Sequence, residues 1–70
     1  MIRYEITHDD SVLYTLSSNY PQTEINLVDL MLKLSDENEG VFSLWGVEKD
    51  PETGREKHTR VATAKNGVEI

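Results

Sequence analysis

The chain has 70 residues, enough for one domain and too few for a second. It carries 13 acids, 7 Lys and Arg and no cysteine, for a net charge of −6. That composition excludes disulfides and thiolate metal centres, and it disfavours nucleic acid as a partner, because an acidic chain is repelled by phosphate backbones.

A core of this size supplies on the order of 3–5 kcal/mol of net stability, so a partner subunit is a natural supplement. The start, Met1-Ile2-Arg3-Tyr4-Glu5, shows no apolar stretch of signal length. The most apolar run, Leu27 to Leu34, is interrupted by Asp29 and Lys33 and is too broken to span a bilayer. A cytoplasmic protein without membrane attachment is the expectation.

In chain order, Ile2, Tyr4 and Ile6 alternate with Arg3, Glu5 and Thr7, the period of a half-buried strand. His8-Asp9-Asp10-Ser11 is a polar turn, and Val12, Tyr14 and Leu16 continue as a second strand, so residues 2–17 read as a hairpin. The segment around Tyr20 and Pro21 reads as a loop, with Pro21 forcing Tyr20 into an extended conformation.

Two residues compete to cap the helix that follows. With Thr23 as cap, Glu24 falls among the apolar side chains. With Asn26 as cap, Glu24 stays outside and Ile25 and Leu30 form a hydrophobic staple. The preferred helix therefore starts after Asn26 and runs from Leu27 to about Asn38, with Gly40 as its stop. Its apolar residues, Leu27, Val28, Leu30, Met31, Leu32 and Leu34, span roughly 200°, against a usual stripe of about 100°. Asp36, Glu37 and Glu39 stand at the negative end of the helix dipole and need a local reason to be there.

Gly40 to Asp50 reads GVFSLWGVEKD, a strand with large side chains on both alternations: Val41, Trp45 and Val47 on one, Phe42 and Leu44 on the other. Asp50-Pro51-Glu52-Thr53-Gly54 is a strong turn, with Gly54 at a left-handed position. Arg55 to Ala64 returns as a strand. Asn66-Gly67 favours a tight turn, after which residues 66–70 form a short extra strand or a loose tail. The fold class is α+β in the order ββαββ, with one helix packed on a mainly antiparallel sheet.

Catalytic chemistry is not visible. His8-Asp9-Asp10 offers an imidazole and two carboxylates, but no second cluster supplies further metal ligands, and a hairpin turn explains the residues. Ser43 lacks the turn that exposes a nucleophile, and His58 lies among Arg55, Lys57 and Arg60. Phosphate loops, dinucleotide glycine patterns and zinc-helix motifs are missing from the sequence. No enzyme activity, cofactor or metal is expected.

Charge is uneven. Residues 1–54 hold 11 acids and 3 bases, whereas residues 55–70 hold 4 bases and 2 acids. The bases can pair across the second hairpin with Glu48, Asp50 and Glu52.

One helix covers one sheet face, so apolar residues on the other face and on the broad helix need another cover. The expectation is a small non-enzymatic binding or regulatory protein acting through protein–protein contacts, as a homodimer or with another protein. Its candidate interface is Val28, Leu32, Phe42, Leu44 and Trp45. The alternative is an acidic inhibitor that imitates nucleic acid toward a nucleic-acid-binding enzyme. In type the chain is similar to small accessory proteins of bacteria and phages, without a motif that carries the likeness.

Overall fold

Two aspartates turn the first apolar alternation back on itself. A computed structural model describes residues 1–70. The elements are β1 (Ile2–His8), β2 (Ser11–Ser18), α1 (Pro21–Glu37), β3 (Phe42–Lys49), β4 (Glu56–Lys65) and β5 (Val68–Glu69). The strands form one antiparallel sheet in the order β2-β1-β3-β4-β5, with α1 on one face. The α+β class and the ββαββ order hold, and residues 68–69 add a short fifth strand.

Local chemistry explains the turns. Asp9 and Asp10 take φ of 49° and 71°, a left-handed conformation that Asp tolerates because its short side chain bonds nearby backbone. Between β3 and β4, the Gly54 N–H donates to the Asp50 carbonyl at 2.8 Å, and Gly54 sits at φ 73°, where a side chain would be strained. Asp50 Oδ1 accepts the Glu52 N–H at 2.8 Å and holds this turn from inside.

The helix starts earlier than the sequence pattern predicts. Tyr20 is the cap residue, extended at φ −94° and ψ 126°, and Pro21 occupies the first turn. Pro suits that position, since its missing N–H is among the unpaired donors anyway and its φ is preset. Asn26 is therefore an interior residue and accepts a bond from the Gln22 side chain at 3.1 Å. Ser18 helps close the helix end from outside: its hydroxyl accepts the Tyr20 N–H at 3.0 Å and lies 2.7 Å from Thr23 Oγ1. Glu24, the apparent obstacle to an early start, stays half-buried near Tyr4.

The core lies between α1 and β1, β3 and β4. Ile6, Met31, Leu44 and Ala64 are completely buried, joined by Tyr4, Phe42, Leu27 and Ala62. A bulge in β4 shapes it: pairing steps from Leu44↔Ala62 to Trp45↔Arg60, so Val61 has no partner on β3. Val61 and Ala62 consequently both pack on the core, while Arg60 falls on the other face. Buried Ser35 ties the last turn to the helix; it accepts the Gly67 N–H at 3.0 Å and donates to the Leu32 carbonyl at 2.8 Å. Asp36 also lies over that turn, close to Gly67, which gives one of the helix-end acids a local setting.

The helix is off-centre. It packs chiefly on β3 and β4, reaches β5 and β1 at its sides, and meets β2 at Ser18. No helix is long and apolar enough to cross a membrane.

Candidate functional site

The face predicted to lie open around Phe42 and Leu44 is the face the helix covers. Phe42 is 1% exposed and Leu44 is 0% exposed, both inside the chain's own core, so neither is available as an interface. β1 pairs with β3 so that Ile6 stands opposite Leu44 and His8 opposite Phe42. That register places the Phe42/Leu44 alternation beside the apolar alternation of β1, and the helix closes over both. The His8 ring stacks on Phe42 with 4.2 Å between centroids.

Val28 and Leu32 pack against the core as half-buried flanks of the helix. They project from the side of α1 that holds Ser35 and meets the β4–β5 turn. Trp45 lies on the opposite face of the sheet. The five expected interface residues thus divide among the core, one helix flank and the open face, and share no surface.

The open face largely covers itself. Trp45 Nε1 donates to Thr7 Oγ1 at 3.0 Å, and the Arg60 guanidinium lies over the indole at 4.6 Å from its centroid. Val47 is buried between its strand neighbours Arg3 and His58. Arg3 Nη1 bonds Glu56 at 2.8 Å, while its Nε lies 3.3 Å from Glu5 without hydrogen-bond alignment. The bond from Arg3 holds the Glu56 carboxyl below its ordinary pKa. Long polar side chains here lay their stems over apolar surface, which is how a Trp and a Val tolerate a face with no helix. A shallow hollow of about 300 Å³ remains beside the indole, lined by Glu5, Thr7, Asp10, Val12, Trp45 and His58.

His8-Asp9-Asp10 has a structural task. The Asp9 N–H donates to the Val41 carbonyl and Asp9 Oδ1 accepts the Val41 N–H, both at 2.9 Å. His8 Nε2 lies 2.7 Å from the Glu39 carbonyl oxygen. These groups fasten the first hairpin to the entry of β3. Ser43 is buried between Thr7 and Thr63, and His58 is exposed opposite Val47. Of the bases expected to pair across the hairpin only Lys57 stands opposite an acid, Glu48, while Arg60 stands opposite Trp45; Lys49 of β3 stands opposite Glu56.

β2, outside the expected site, holds more exposed large apolar residues than any other strand. Val12 is 57% exposed, Leu13 54%, Tyr14 43% and Leu16 38%. Tyr14 and Leu16 stand opposite Ile6 and Tyr4, on the helix side of the sheet, where the off-centre helix leaves them bare. Leu30, also exposed, is seven residues from Thr23 and so lies on the β2 side of α1, since Thr23 touches Ser18. β2 is an edge strand, and its sequence SVLYTLSS contains no charge, whereas every other strand carries at least one. That contrast was present in the sequence; the strand order that makes it matter was not.

No family model, curated protein or solved structure matches this chain.

Proposed function

We propose that this chain is a small non-enzymatic binding protein that acts through protein–protein contacts, with a partner strand added to the free edge of β2. One observation carries the reading: β2 is an eight-residue outer strand, free of charge, with four large apolar side chains in the open. An outer strand presents unpaired N–H and C=O groups along its length, a template for another strand. Proteins that need to stay single blunt such edges with charge, Pro, shortness or bulges; β2 has no charge, no Pro and eight residues, and its one irregularity is a bulge at Leu13. The Cys-free composition fits a reducing, cytoplasmic setting.

The test compares two baits in the native host, the wild-type chain and Thr15→Lys. Thr15 stands opposite Glu5, so the lysine gains an opposite charge within its own sheet and the fold is preserved. Proteins held by the wild type and lost from the variant, with little salt dependence, support edge docking. Identical captured sets reject it. Capture that survives Thr15→Lys and disappears with moderate salt supports the acidic nucleic-acid mimic instead.

A further inference from the structure

We infer that the occupant of the β2 edge is a second copy of this chain, paired antiparallel about a two-fold axis near Tyr14 and Thr15. The inference rests on the reading of β2 as a docking edge and commits that reading to one partner.

Symmetry makes the charge pattern decisive. In a two-fold strand pair each residue meets one from the same strand, so any charge near the axis meets its own kind. The chain holds 20 acidic and basic residues, yet none falls between Ser11 and Ser18. A foreign strand is best selected by charges opposite to its own; a self-pairing strand does best with none. Val12, Tyr14 and Thr15 are β-branched or aromatic, the types whose cross-strand pairs stabilise a sheet.

The opposite edge supplies a second argument. β5 pairs only with Ala64 and Lys65, so most of that edge is β4, which carries Glu56, Lys57 and Arg60 and a bulge at Val61 and is a poor template for an uncharged strand. Pairing through β2 therefore stops at two copies rather than running on as a fibre. The product is a ten-stranded sheet with both helices on one side. Each helix covers β1, β3 and β4, so the two central β2 strands form an open floor between them. Tyr14 and Leu16 of the two copies become neighbours on that floor.

A contact one strand wide falls below the roughly 800 Å² per partner of standard stable complexes, so a concentration-dependent equilibrium is expected. Sedimentation from micromolar to near-millimolar chain should show the 8.0 kDa species giving way to one of twice that mass. Thr15→Lys should raise the dissociation midpoint about ten-fold or more, because two lysines meet near the axis. Leu32→Lys, on the other flank of the helix, should leave the midpoint unchanged.

The absence of cysteine permits a geometric test that does not depend on affinity. Thr15→Cys, near the axis, should cross-link to itself on oxidation. Ser18→Cys should not, because antiparallel pairing carries its two copies to opposite ends, far beyond the roughly 7 Å reach of a disulfide. Mixed Ser11→Cys and Ser18→Cys chains should cross-link to each other.

A chain that stays monomeric at every concentration overturns the inference. If it does so yet holds a host protein that Thr15→Lys releases, the docking edge stands and only the second copy is lost. A dimer unaffected by Thr15→Lys and dissolved by Leu32→Lys overturns both.

Discussion

At one edge of the sheet β5 covers only Ala64 and Lys65, and the rest of that edge is β4, which carries Glu56, Lys57 and Arg60. At the other edge β2 offers eight residues, none charged. The same asymmetry runs through the helix layer: over β3 and β4 it seals the core, and over β2 it leaves Tyr14 and Leu16 in the open. The β4–β5 side carries the interactions that stabilise the single chain. The β2 side holds its place mainly through β1 and the Asp9 clamp on Val41. The sealed core and the bare edge lie in different halves of one small sheet.

The largest expected effect tests the sealed half. Leu44→Ala should cost about 2–5 kcal/mol in urea unfolding, the usual range for a completely buried Leu, and in a domain this small that approaches its whole stability. A well-folded Leu44→Ala chain that lost only association would return Leu44 to the interface and break the comparison.

Gly40→Ala tests the clamp between the halves. Gly40 has φ 106°, and a Cβ there would lie 2.5 Å from Asp9 Oδ2 and 2.7 Å from His8 Nε2. The cost should be about 1–3 kcal/mol, with faster amide exchange concentrated in the β1–β2 hairpin. Uniform loss across all strands would mean the clamp does not separate the halves.

Tyr4 makes the sealed half sensitive to alkali. Burial chiefly, with the carboxylates of Glu24 and Glu48, raises its phenol above the ordinary value of 10.0. The folded state thus holds that proton more tightly than the unfolded chain. Its contribution is complete below the unfolded pKa and is lost as pH rises through the folded value. Wild-type stability should fall above about pH 10 more steeply than that of Tyr4→Phe, measured by denaturant unfolding at fixed ionic strength. Equal slopes would show that the Tyr4 hydroxyl is free of that environment.

The hairpins were legible because their chemistry is local: Asp9-Asp10, Asp50 to Gly54 and Asn66-Gly67 each dictate a turn within a few residues. The helix start was misread because Ser18, three residues before Pro21, supports the end that Tyr20 leaves without a side-chain cap. The face of β3 was misread for a deeper reason. Both of its alternations carry large side chains, and only its pairing with β1 decides which goes inward. The cover over Trp45 depends on a bulge at Val61 that turns Arg60 outward, and no spacing in the sequence announces it.

Thr7→Val sharpens the account of the open face. It removes the acceptor of the Trp45 indole N–H and should cost about 0.5–1.5 kcal/mol, with a shift in Trp emission. The effect should be the same at all protein concentrations, because that face is covered within one chain. A loss that grew with dilution would place Trp45 at an association surface after all.

The smallest effect is the most informative. Leu16 has the same side chain as Leu44 but is 38% exposed on the free edge. In dilute solution Leu16→Ala should cost no more than about 1 kcal/mol, since much of its surface never leaves water and no closed cavity is made. At high concentration a second copy that binds only the folded chain adds its own stabilisation, and that addition rises with chain concentration. The penalty for Leu16→Ala should therefore grow between dilute and concentrated unfolding experiments, while the penalty for Leu44→Ala stays constant. A Leu16 penalty that is small and independent of concentration would leave β2 as nothing more than a bare edge.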